Sequence, residues 1–284
     1  MQNRYSFRRT MRILAVVAGF ALAAGAVAGS AAATKDARHA TPRDGSVKPT
    51  IVLVHGAWAN TASWAGVIGR LQHDGYTVVA PPNPLRSLRF DTAYITDFLK
   101  TIPGPVVLVG HSYGGMVISD AATRSPNVRA LVYVDAFVPK KGESALGLDS
   151  IKPGSALGAG NVFNAVPFPG AAPGDAELYV KPKVFIHAFA NGLPATEGAV
   201  LAATQEPAVA SALTAPSTSP AWSRLPSWYV LGTIDRAIPP AIQLFMARRA
   251  HARITRVDAG HLSMVSHPGV VTRVILEAAG AVSN

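Results

Sequence analysis

The 284-residue chain contains no cysteine. Disulfides, thiolate metal sites, a cysteine nucleophile and lipid attachment through a cysteine are thereby excluded. Charged residues are few at 15% and aromatics at 7%, against 49% hydrophobic residues. That balance excludes a charge-dominated disordered chain and fits a globular protein with a sizeable core. Basic residues outnumber acidic ones, yet no basic run interleaves with aromatics, so a nucleic-acid partner is not indicated. No uninterrupted apolar stretch reaches the roughly 20 residues of a membrane span, and no internal repeat occurs.

Acidic residues are also missing before Asp36, while Arg4, Arg8, Arg9 and Arg12 precede an alanine-rich apolar segment over residues 13–28. With small residues at Ala31, Ala32 and Ala33, this is the layout of an export signal cleaved after Ala33. The Arg8–Arg9 pair suits the twin-arginine route as well as the general secretory one. Residues 34–49 are polar, contain Pro42, Gly45 and Pro49, and read as a flexible lead-in. The folded domain is expected over residues 50–284, secreted or held in the cell envelope or periplasm, with no stable membrane anchor after cleavage. Four of the ten net positive charges lie in the first 33 residues, so the processed chain is expected to carry about +6.

Beyond residue 50, short β-branched runs alternate with helical periodicity. The runs IVLV (51–54), YTVVAPP (76–82), VVLV (106–109), RALVYVDAF (129–137), SWYVLG (227–232) and ITRV (254–257) read as strands. Helical spacing appears over 62–73, from Asp91 as a candidate cap, from the glycines after VVLV to about 124, over 240–250 and over 268–279. Continuous rather than alternating apolar strands imply a sheet covered on both faces, and the strand–helix alternation implies a doubly wound, mostly parallel α/β sheet. Between about 138 and 226 glycine, proline, alanine and serine dominate. Two short helical pieces, 195–205 and 207–215, stand out and no strand run does, so this stretch reads as a helical insertion over the sheet.

The stretch VVLVGHSYGG (106–115) carries the chemistry. Gly110-His111-Ser112-Tyr113-Gly114 is a G-x-S-x-G between a buried strand and a helix, the setting of a nucleophile elbow. A serine squeezed into that turn adopts an unfavourable backbone, so Gly110 and Gly114 make room for it. Its hydroxyl then faces the carboxyl ends of the strands, where open sheets place ligands. A serine hydroxyl needs a base, and the base needs orientation. Among eight histidines, His261 lies on the loop after the final strand, facing Ser112 across the sheet top, whereas His55 and His111 read as loop supports. The acid is Asp235, after the strand 227–232, with Asp135 at the end of 129–137 as the alternative. The Ala57 and Tyr113 amides are the expected oxyanion donors, because Gly56 lets the backbone approach the reacting carbonyl. Trp58, Phe137, Ile238 and Met264, with Phe185 and Phe189, are candidate walls of a substrate pocket. No metal or organic cofactor is required.

Taken together these pieces resemble the α/β-hydrolase superfamily from about Thr50 to Ala279. HGAWANTASWAGV, VGHSYGGMV, VYVDAFVP and GHLSMVSHP are similar to the branch of plant methyl esterases, hydroxynitrile lyases and their bacterial relatives. The resemblance implies Ser112 as nucleophile, His261 as base, Asp235 as acid and residues 138–226 as a cap over the pocket. It also separates the branches. Cyanide-releasing members carry a lysine after the catalytic histidine and a threonine after the first strand, where Leu262 and Gly56 stand here. The expected function is therefore an exported serine hydrolase acting on small or medium carboxylic esters. Lactone opening, carbon–carbon bond hydrolysis and cofactor-free perhydrolysis use the same triad and stay open, as does a non-catalytic binding protein.

Overall fold

The computed structural model describes residues 47–158 and 160–283. The expected export signal and most of the lead-in lie outside the described residues. The strands begin with β1 (Thr50–Val54), whose last four residues are fully buried. There follow α1 (Ala65–His73), β2 (Val78–Val79), α2 (Leu88–Lys100), β3 (Val106–His111), α3 (Gly114–Ala121) and β4 (Val128–Val134). After the insertion come β8 (Ser227–Gly232), α8 (Pro240–Arg249), β9 (Arg253–Val257), α9 (Ser263–Ser266) and α10 (Pro268–Val282). The inserted elements, β5 to β7 and α4 to α7, are given below.

The six strands lie in the order β2-β1-β3-β4-β8-β9, and every neighbouring pair is parallel. Crossovers in such sheets are right-handed. The step from β1 out to β2 and the step back to β3 therefore put α1 and α2 on opposite faces. α10 packs on α1, and α3 packs on α2, so both faces are covered. This explains why β3 and β8 are buried at every residue and read as continuous apolar runs. The reversal of direction also leaves a crevice at the carboxyl ends of β1 and β3, the position where doubly wound sheets bind ligands.

Asp91 is not the cap of α2. Ser87 takes that place and accepts from Phe90 N–H. Asp91 sits buried in the first turn, where it accepts from the Arg86 N–H at 3.0 Å and the Tyr113 hydroxyl at 2.9 Å.

The insertion has helices in the two expected pieces, α6 (Ala195–Ala203) and α7 (Ala210–Thr214), and two that the sequence reading did not find, α4 (Ala145–Asp149) and α5 (Pro182–Val184), the latter continuing into a π-turn over Phe185–Phe189. It also has strands, contrary to the sequence reading. β5 (Phe163–Val166), β6 (Glu177–Val180) and β7 (Ala208–Val209) form a three-stranded sheet, antiparallel in the β5–β6 pair. These strands are two to four residues long, too short for a period-2 pattern to register. Gln205 holds β6 at both Val180 N–H (2.9 Å) and Val180 C=O (3.0 Å).

The end of the insertion is fastened to α3 by Asp120. This buried carboxylate accepts from Ser217 Oγ (2.6 Å), Thr218 N (2.9 Å), Thr218 Oγ1 (3.1 Å) and Ser219 N (3.3 Å). Removing such an acceptor strands several donors, at a cost of about 2–3 kcal/mol. Asp120→Ala is expected to lower the unfolding free energy by that amount in urea titrations; a change below about 0.5 kcal/mol would contradict the anchoring role.

Candidate active site

Ser112 follows β3 directly and holds φ at 52°, in the left-handed region that a serine adopts at a cost. Its backbone is pinned on both sides: Ser112 N–H donates to Val134 O at 3.2 Å, and Ser112 O accepts from Gly115 N at 2.9 Å and Phe137 N at 3.1 Å. The turn is so tight that a Cβ on Gly110 would lie 2.7 Å from Gly114 O, and one on Gly114 would lie 2.6 Å from Val54 O. The loop after β1 comes equally close. A Cβ on Gly56 would lie 2.6 Å from Ser112 Cβ and 2.7 Å from His111 O. Glycine is thus required where the strand, the helix and the β1 loop converge on the serine.

His261 lies beyond β9 and ahead of α9. Its Nε2 accepts from Ser112 Oγ at 2.9 Å, and its Nδ1–H donates to Asp235 Oδ2 at 2.8 Å. Asp235 is held in turn by Ala237 N–H (2.7 Å), Ile238 N–H (3.0 Å) and the Gln243 side-chain amide (2.6 Å). All three members of this line are almost fully buried. Burial opposes charge on each partner, drawing His261 below the ordinary imidazole range and pushing Asp235 upward. The Ile238, Ala237 and Gln243 donors counter the push at Asp235. The resting imidazole is neutral, with its proton on Nδ1 and a free lone pair on Nε2 facing the serine.

Asp135 also ends a strand, at φ 45°, but it does not reach the imidazole. Its oxygens are occupied by Gly232 N–H at 2.8 Å and Ser263 N–H at 3.2 Å. It thereby ties the end of β8 to the loop that carries His261. His111 braces the same loop, its Nε2–H donating to His261 O at 3.0 Å. His55 supports the β1 loop, with Nδ1–H to Gly56 O at 3.0 Å and Nε2 accepting from Asn83 N at 2.9 Å. Burial pulls His55 down to about 4, and it lowers His111 likewise, so neither competes as a proton acceptor near neutrality.

A cavity of about 610 Å³ opens over Ser112 and His261. Ala57, Trp58, Tyr113, Phe137 and Ile238, all candidates from the sequence, line it. Among the described residues neither the Ala57 nor the Tyr113 N–H is taken by another protein acceptor. Met264 is a correction. It is fully buried in the core away from the cavity, because α9 turns it under the loop. Phe185 and Phe189 are likewise buried outside the lining, yet Phe189 packs edge-on against the His261 ring at 4.9 Å. Trp58 stacks on Phe163 of β5 at 5.2 Å and donates from Nε1 to Leu178 O of β6 at 2.7 Å. Gln243 and Phe163 have no signature in the sequence: each acts through a tertiary contact. Among the described residues, no group of three or more His, Asp or Glu side chains is arranged to hold a metal ion, and no helix is long and apolar enough to cross a membrane.

With this sheet and elbow the chain belongs to the alpha/beta hydrolase family, whose sequence profile matches residues 51–274. It is 28% identical over 257 residues to the alpha/beta hydrolase nvfD of Aspergillus novofumigatus, covering 82% of this chain and 98% of that one. A carbendazim hydrolyzing esterase of Nocardioides sp. is 39% identical over 110 residues, 34% of this chain and 46% of that one. Methylesterases of Arabidopsis thaliana match as well. Among solved structures, a pyrethroid hydrolase from Sphingobium faniae JZ-2 shares the fold with a TM-score of 0.64 at 20% identity, over 83% of this chain and 98% of that one.

Proposed function

We propose that the protein is an exported serine hydrolase that cleaves carboxylic esters of small or medium size through an acyl-enzyme on Ser112. The observation that carries this reading is the unbroken line Ser112 Oγ–His261–Asp235, opening on a largely apolar cavity beside two untaken amides. The esterase relative from Nocardioides supports the ester as the bond cleaved. A cavity of about 610 Å³ suits a ligand of drug size or smaller. Export rests on the basic, alanine-rich first 33 residues.

In this mechanism Ser112 Oγ attacks the ester carbonyl as its proton passes to His261 Nε2. The imidazolium is stabilised by Asp235 while the oxyanion is received by the Ala57 and Tyr113 N–H groups. His261 then returns the proton to the departing alkoxide, and the alcohol leaves. Water enters, gives its proton to His261 and attacks the acyl carbon; as the intermediate collapses His261 returns that proton to Ser112 Oγ, releasing the acid and restoring the free enzyme. No cofactor takes part. Asp235 orients the base, and Asp135 acts through the loop.

Two outcomes are expected. Hydrolysis of short p-nitrophenyl esters falls by about 10⁴-fold or more in Ser112→Ala, and turnover that persists there would overturn the reading. Because burial lowers the His261 pKa, the neutral base survives to lower pH than a free imidazole. The acidic limb of kcat/KM is therefore expected below about 6.5, and a limb at or above that value would contradict the buried neutral base.

A further inference from the structure

The cavity has two unlike ends. On the side of the β1 loop its wall is aromatic, with Trp58 stacked on Phe163. On the side of the loop after β8 the insertion supplies Asp149, the last residue of α4. The segment that follows is fastened to that loop, since Ser155 Oγ donates to Ala237 O at 2.7 Å and Ala156 N–H donates to Arg236 O at 2.8 Å.

Asp149 is chemically out of place in this wall. Ala145, Phe137, Leu157, Leu213 and Ile238 share the lining, and a leucine at 149 would match them. Its Oδ1 is instead buried with no hydrogen-bond partner among the described residues. Ser155 stands beside the carboxyl, but its hydroxyl proton is committed to Ala237. Lys152 also lines the cavity, is exposed, and forms no ion pair with Asp149. A buried polar group without a partner destabilises the free protein, and the loss is recovered when a ligand supplies the missing bond.

We propose that Asp149 is a specificity-determining residue that accepts a hydrogen bond from a hydroxyl or N–H group of the substrate, so that the preferred esters carry such a donor away from the scissile carbonyl. The inference rests on the ester-hydrolase reading above and names the substrate class within it. The nearer carbonyl donors are spoken for by the chemistry: Ala57 and Tyr113 face the oxyanion, and Ser112 and His261 exchange the proton. Burial, together with the Asp235 charge, raises the Asp149 carboxyl to about 6, so at pH 8 it is an anionic acceptor.

The test is kcat/KM at pH 8 for two matched pairs, each corrected for its rate in hydroxide alone. One pair varies the acyl half, p-nitrophenyl butyrate against p-nitrophenyl 3-hydroxybutyrate. The other varies the alcohol half, butyl butyrate against 4-hydroxybutyl butyrate. In at least one pair the wild type is expected to favour the hydroxylated ester by about tenfold. Asp149→Asn, which keeps a carbonyl acceptor, retains part of that preference, and Asp149→Leu loses or reverses it. Wild-type ratios within twofold of one in both pairs overturn the proposal without reference to any variant. So does a preference that survives unchanged in an active Asp149→Leu. Failure of the wild type to hydrolyse all four esters would overturn the ester-hydrolase reading itself, and this inference with it.

Discussion

The left-handed turn at Ser112 is the constraint on which the rest of the site depends. A β-strand that turns into a helix within two residues forces φ positive at a side chain that disfavours it, and only close packing on every side holds it there. Three glycines admit that packing, one from the strand, one from the helix and one from the loop after β1. The same crowding sets Ser112 Oγ at 2.9 Å from His261 Nε2, in a cavity that Ala57 and Tyr113 also line. Loosening the turn would take Ser112 out of register with His261, which is why the sheet's switch point and not a surface loop carries the site.

Around the turn the protein buries several ionisable groups, and it manages them by hydrogen bonding. Asp235 accepts four donors, counting the imidazole, while His55 and His111 are spent on backbone carbonyls. Asp135 and His111 fix the loop of His261 from below, through Ser263 N and His261 O. Phe189, delivered by the π-turn of the insertion, closes over the ring. The imidazole is therefore aimed by the sheet and kept dry by the cap. The cap also reaches the loop after β1, because Trp58 is held by β5 and β6.

Much of this was legible in the residues. The inner strands β1, β3, β4 and β8 are apolar runs because helices cover both faces, and the G-x-S-x-G fell between one of them and a helix. The two aspartates were harder to part. Asp135 and Asp235 both follow strands in the order serine, acid, histidine, and the difference lies in the loop after β8, which carries its carboxylate to Nδ1 while Asp135 turns back to Gly232 and Ser263. The cap was read poorly because its strands are short and held by tertiary bonds such as Gln205 to Val180. Met264 misled for a similar reason: three residues past His261 it faces the core, and helical periodicity over four residues cannot set direction. The role of Asp149 has no sequence signature, since an exposed-looking Asp ending a short helix is ordinary.

The central claim is that chemistry passes through a covalent bond to Ser112 Oγ. It is tested most directly by quenching a reaction with p-nitrophenyl butyrate in acid within its first turnover and mapping the protein by peptide mass. The account predicts a transient gain equal to one butyryl group, confined to the peptide containing Ser112 and lost as turnover is completed. Hydrolysis that proceeds with no acyl adduct, or with the adduct on another residue, would contradict it.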